Sequence, residues 1–149
     1  MTTYDVHFQI VPDAAQVATN GKVYSFGYTS AVGVQGPQKL INRWLKCFCT
    51  LKGTDISDPT YGTGFPALLG SNVSRQDDFT DAMALYVDDC NTQIRAFDSA
   101  QFPPATERLK DATLTNVIPY GADGYSAYVT IKNIAGTLLT VQVPTGTPR

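Results

Sequence analysis

Carboxylates are the most numerous groups in this chain that could do chemistry: there are twelve Asp residues and one Glu, Glu107. A glycosidase needs two carboxyl groups in a cleft, one of which must hold a proton. Glu107 follows Pro103-Pro104 and precedes Arg108, whose positive charge favours the ionised carboxylate. We expect the acids of the later helical segment to cap a helix or face solvent: Asp77, Asp78, Asp81, Asp88 and Asp89.

The other reactive groups are few. His7 is the single histidine, so a Ser–His–Asp triad would have to use a residue near the N-terminus. The chain has three cysteines, which are Cys47, Cys49 and Cys90. This odd number predicts reduced thiols that pack as small apolar side chains. Zinc usually takes four protein ligands, or three and a water. The sequence therefore predicts no metal, no cofactor and no enzyme; a peptidoglycan glycoside hydrolase is the enzymatic alternative.

Composition narrows the function classes further. The 149 residues are 43% hydrophobic and only 16% charged, below the roughly 25% charged residues of ordinary globular chains. This low charge indicates that part of the surface contacts other molecules rather than water alone. The net charge of −2 does not favour nucleic acid, and no apolar run reaches the about 18 residues of a membrane span. The N-terminal MTTYDVHFQI lacks the pattern of a signal peptide.

Residues 1–36 are predicted to form a small β extension. Apolar and polar residues alternate over residues 4–11, which is typical of a half-buried strand. Asn20-Gly21 is a strong hairpin signal before a second strand, on which Tyr24, Phe26 and Tyr28 share one face. We expect these aromatic side chains to dock on a neighbouring subunit, because so small a module cannot bury them alone.

The segment that follows has two helical patterns. Pro37 suits the first turn of a helix over residues 38–48, with apolar residues on one face. A second face carries Lys39, Arg43 and Lys46, which would meet either an acidic partner or the acids of the chain itself.

Ser74 is the predicted N-cap of a longer helix over residues 75–98. Its stripe at helical spacing is interpreted as a core face, with a ligand groove as the alternative: Phe79, Met83, Tyr86, Cys90, Ile94 and Phe97.

A loop rich in Gly, Pro and Asp separates the two helices, and we expect Gly53, Asp58, Pro59 and Gly62 to fix its turns. After the connector at residues 99–108, three apolar runs with turns at residues 121–124 and 133–136 predict antiparallel strands. The predicted fold class is α+β: two helices packed on a small antiparallel sheet that ends in a β-hairpin, with an N-terminal β extension before a domain over residues 37–149.

One combination of motifs resembles a known family. The first helix ends in LINRWLKCFCT and is followed by the loop LKGTDISDPTYGTGF. Two short motifs mark this loop: T-x-K-G at residues 50–53 and D-P-x-[YF]-G at residues 58–62. With the long helix and the final hairpin, this order resembles the lysozyme-like baseplate wedge proteins of contractile phage tails, the tail sheath initiators. The resemblance covers residues 38–143, about three quarters of the chain.

The resemblance implies a structural rather than an enzymatic protein. Family members form a ring around the tail tube of the virion baseplate, contact other wedge, hub or tube proteins, and are made in the host cytoplasm. The family often ends its long helix with Glu-Pro-Arg, whereas this chain has Gln93-Ile94-Arg95, so only Arg95 is left for a wedge contact. Related contractile injection and secretion systems share the family, so an adaptor role in such a machine is the alternative.

The family's terminal hairpin accepts strands from the tail sheath protein. The corresponding partner-binding residues here are Leu138, Leu139, Thr140, Val141, Gln142 and Val143. Exposed edge strands usually carry a charge, a bulge or an early proline, and this run has none, since no charged residue lies between Lys132 and Arg149. Either a partner strand completes the edge, as the resemblance implies, or the run lies in the middle of the sheet.

Overall fold

The computed structural model describes residues 8–11, 23–26, 35–69, 75–120 and 124–144. Two long helices and a three-stranded antiparallel sheet that ends in a hairpin confirm the predicted α+β class. The elements in chain order are β1 (Phe8–Val11), β2 (Val23–Phe26), α1 (Pro37–Cys49), α2 (Phe65–Leu68), α3 (Gln76–Gln101), β3 (Leu109–Tyr120), β4 (Gly124–Asn133) and β5 (Leu138–Pro144). Among the described helices, none has both the length and the apolar character of a membrane span.

The N-terminal strands form a sheet of their own. β1 pairs antiparallel with β2, with Ile10 opposite Tyr24 and Phe8 opposite Phe26. The predicted Asn20-Gly21 turn and Tyr28 lie outside the described residues. The strand character of this extension is therefore confirmed at its two described segments.

The core forms where α1 and α3 pack on one face of the sheet. Trp44 and Phe48 of α1 stack on each other at 4.8 Å, and Phe65 of α2 extends the stack at 4.5 Å from Phe48. Alternate residues of the sheet face the helices, as the period of two predicts. The buried apolar residues of α3 and the sheet include Phe79, Met83, Val87, Cys90, Ile94, Ala127, Val129, Ile131, Val141 and Val143.

Three sequence predictions about this core need correction. Phe97 is 46% exposed, because the buried face of α3 passes through Ile94 and Asp98 at this end, and the Phe97 ring lies 4.7 Å from the Arg43 guanidinium. Cys47 and Cys90 are buried as predicted, but Cys49 at the end of α1 is exposed. Arg75, not Ser74, occupies the N-cap position of α3, and the Arg75 side chain makes no capping hydrogen bond.

The basic face of α1 pairs with acids of the chain itself. Arg43 Nη2 lies 2.6 Å from Asp98 Oδ1, and Lys39 Nζ lies 3.1 Å from Glu107 Oε2. Burial raises the pKa of the Asp98 carboxyl, although the Leu109 N–H and the Arg43 guanidinium favour its charged form. The interpretation that α1 meets internal acids is thus confirmed for Lys39 and Arg43.

The loop between α1 and α3 is held by backbone geometry and by α3. Gly53 and Gly62 have φ of 89° and 100°, as expected for turn positions. At Gly62 a Cβ atom would clash with the Thr50 carbonyl oxygen, so only glycine fits there. The Gln93 side chain accepts from the Gly62 N–H at 2.9 Å and donates to the Gly62 C=O at 2.8 Å. α3 therefore fixes this loop in place.

Candidate strand-addition edge

The last strand, β5, lies at an edge of the sheet. Among the described strands the order is β3-β4-β5, so residues 138–143 lie on an edge strand of this sheet and the interpretation that they lie in its middle is wrong there. β5 pairs with β4 without a bulge, from Leu138 opposite Lys132 to Pro144 opposite Ser126. All six predicted residues are therefore on one regular edge strand.

The two faces of β5 differ in burial. Val141 and Val143 are buried against the helices and Leu139 is partly buried, as the sequence alternation predicts. On the opposite face Leu138 is 61% exposed and Thr140 is exposed as well.

The turn before β5 decides which of its backbone groups face outward. The Gly136 N–H donates to the Asn133 C=O, and the Asn133 N–H donates to the Thr137 C=O, both at 3.1 Å. Gly136 has φ of 91°, so this turn is a three-residue loop with a glycine bulge. Hydrogen-bonded pairs alternate along an antiparallel ladder. Asn133 and Thr137 form one such pair, so the next hydrogen-bonded pairs are Ile131 with Leu139 and Val129 with Val141. The N–H and C=O groups of the residues between them, Leu138 and Thr140, therefore point away from β4.

The opposite edge of the sheet, on β3, is covered by α3. Three side chains of this helix donate to outward carbonyl groups of β3 at 2.8–3.0 Å. The pairs are Gln76 with Val117, Asn91 with Ala112, and Arg95 with Lys110. β3 also departs from regular register between Leu109 and Asp111 and between Leu114 and Asn116. Coverage and bulges together protect this edge from pairing with another strand.

Over residues 138–141, the described part of the chain gives β5 neither covering side chains nor a bulge. In the part of the chain that the structure describes, no side chain bonds the backbone of Leu138 or Thr140. β2 approaches β5, with Cα atoms of the two strands within 8 Å, but it belongs to the separate β1–β2 sheet. The exposure of Leu138 and Thr140 shows that this approach leaves their positions accessible.

The other predicted site residues lie elsewhere. Arg95 Nη2 bonds the Lys110 carbonyl at 3.0 Å and Asp111 Oδ1 at 2.9 Å, so its cation is already engaged within the chain. Tyr24 and Phe26 are on β2, whose side chains lie outside the description, as does the whole of Tyr28. Glu107 is buried; Oε1 accepts from the Gly36 N–H, and Oε2 pairs with Lys39.

Sequence reasoning missed the residues that protect β3. Asn91 is buried between Trp44, whose indole N–H it accepts at 3.2 Å, and the Ala112 carbonyl. The sequence held one signal for Asn91: it is a polar residue next to Cys90 on an otherwise apolar face of the helix. A buried amide side chain must find hydrogen-bond partners, so this position predicts a contact with another element.

Comparisons with protein-family models, with curated proteins and with solved structures find no match to this chain.

Proposed function

We propose that this chain is a structural protein of a contractile tail, or of a related contractile injection machine, and that β5 nucleates sheath assembly by accepting strands from sheath subunits. The observation that carries the proposal is the difference between the two sheet edges. α3 covers β3 through three hydrogen bonds, whereas Leu138 and Thr140 leave outward backbone groups on a regular, uncharged strand. An edge of this kind is prone to pair with another strand, and a partner strand that completes it removes this tendency to aggregate.

The energetics fit strand addition repeated around a ring. Each backbone hydrogen bond contributes only about 1 kcal/mol net, and each cross-strand side-chain pair adds about 0.2–1 kcal/mol. A single short strand would therefore bind weakly. Several copies of the chain around a tail tube would hold a sheath ring together through many such contacts at once.

The substitution Thr140→Pro tests the proposal. Proline removes the Thr140 N–H, which points away from β4, so the β4–β5 ladder keeps its bonds. We expect the variant to keep the circular dichroism spectrum of the parent and to melt within a few degrees of it, about the effect of 1 kcal/mol. Co-purification with the sheath protein of the same genome, and sheath assembly on baseplates, should fail.

Val141→Pro is the matched control. The Val141 N–H belongs to the hydrogen-bonded pair with Val129, and its side chain is buried, so this substitution should unfold the domain. Normal sheath assembly with a folded Thr140→Pro variant would show that the proposed function is wrong.

A further inference from the structure

Three threonine hydroxyl groups form a row across the exposed face of the sheet. Thr115 Oγ1 and Thr130 Oγ1 are 3.4 Å apart, and Thr130 Oγ1 and Thr140 Oγ1 are 3.3 Å apart. The three residues come from β3, β4 and β5, so the row crosses all three strands and ends at Thr140, on the open edge.

The row has a direction, because each hydroxyl group has one proton. Thr115 donates its proton to the Tyr128 carbonyl at 2.9 Å. The bond between Thr115 and Thr130 must then use the Thr130 proton, and the bond between Thr130 and Thr140 must use the Thr140 proton. Thr140 Oγ1 therefore keeps a lone pair that can accept, while its only proton is used in the row.

We infer that the strand added to β5 carries a neutral hydrogen-bond donor beside Thr140, namely Ser, Thr, Asn or Gln, and that Asp and Glu are disfavoured there. An ionised carboxylate has no proton to give and would meet the lone pairs of Thr140. The residues next to this donor in the added strand are apolar, because they continue the inner face formed by Leu139 and Val141. This inference rests on the proposed function and specifies the strand that the edge accepts.

A library of random seven-residue segments, each displayed in many copies on one particle so that weak single contacts add up, tests the inference when it is selected against the full chain. We expect one position to be enriched about two- to fivefold in Ser, Thr, Asn and Gln, the range that cross-strand pair energies allow, and to be depleted in Asp and Glu. Selection against Thr140→Val, which keeps the shape and removes the acceptor, should abolish this preference.

Two further variants separate failure of this inference from failure of the proposed function. Segments that bind a folded Thr140→Pro chain as well as they bind the parent do not use the edge, and this result contradicts the proposed function. The absence of any enriched segment contradicts it too. Leu138→Pro removes the neighbouring outward N–H and replaces Thr140→Pro if the latter does not fold. Segments that lose binding with either proline but show no donor preference would overturn the hydroxyl inference alone.

Discussion

At the scale of single residues, buried charge has the largest consequences in this chain. The side chains of Arg43 and Asp98 are 16% and 8% exposed, so each depends on the other for its charge to be tolerated. The sequence predicted that the basic face of α1 meets internal acids, but could not identify the partners. Asp98 follows Arg43 by 55 positions, and only the packing of α1 against α3 brings them together.

Arg43→Gln should destabilise the fold by about 3–5 kcal/mol at neutral pH, because it removes the ion-pair partner of the buried Asp98 carboxylate. Burial already raises the pKa of Asp98, and loss of the guanidinium raises it further. The folded variant then holds a proton that the unfolded chain has released, so its stability falls as pH rises through the folded-state pKa. Urea unfolding at pH 5 and pH 8 should show the larger loss at pH 8.

The control for this prediction is Lys52→Gln. Lys52 and Asp89 form a more exposed pair, with side chains 49% and 33% exposed, and this pair is worth at most about 1 kcal/mol. A loss with Arg43→Gln that is equal at both pH values would assign the effect to its other contacts, with Phe97 and the Glu107 carbonyl.

At the scale of elements, α3 does more than supply a core face. It covers the β3 edge through Gln76, Asn91 and Arg95, and it holds the preceding loop through Gln93. Periodicity predicted the helix and most of its buried face, because burial follows the 3.6-residue repeat. The polar contacts were not predictable in the same way, since each joins residues far apart in the sequence whose meeting depends on how the elements pack.

Gln93→Ala should loosen the loop before α3. The substitution removes both hydrogen bonds to Gly62, and we expect a loss of about 1–2 kcal/mol together with faster hydrogen exchange at the Gly62 and Thr63 amides. Hydrogen exchange followed by mass spectrometry measures the effect.

Thr92→Ala is the neighbouring control for this loop, because the Thr92 side chain is exposed and bonds only within α3. Unchanged protection of the Gly62 amide in Gln93→Ala would show that the glycine geometry holds the loop without the glutamine.

At the scale of the whole molecule, the described core draws only on residues 40–143. The α+β class followed from the sequence, and so did the buried face of β5, because alternation depends only on neighbouring residues. The edge position of β5 did not follow, because strand order depends on which strands meet. Two predictions remain untested: the domain boundary at residue 37, and the docking of residues 1–36 on a neighbouring subunit.

Removal of residues 1–34 tests that division. We expect the remaining chain to unfold in one cooperative transition with a Tm within about 4 °C of the parent, the shift that about 1 kcal/mol produces. Sheath co-purification should persist, because β5 is intact, while binding to other baseplate subunits should be lost. Calorimetry and co-purification measure the two effects.

Removal of residues 138–149 is the control for the removal of residues 1–34. It takes Val141 and Val143 out of the core, so this variant should not fold. If the chain without residues 1–34 also fails to unfold cooperatively, the N-terminal segment shares the core and the division at residue 37 is wrong.

The glycine-containing corner between Asn133 and Thr137 restricts how this protein can vary in length. An extra residue taken into β5 itself, rather than into the loop, would shift the strand by one position, so that Thr140 would enter the hydrophobic interior and Val141 would turn to water. Insertions at this corner are therefore expected to lengthen the loop and to leave Leu139 opposite Ile131 and Val141 opposite Val129.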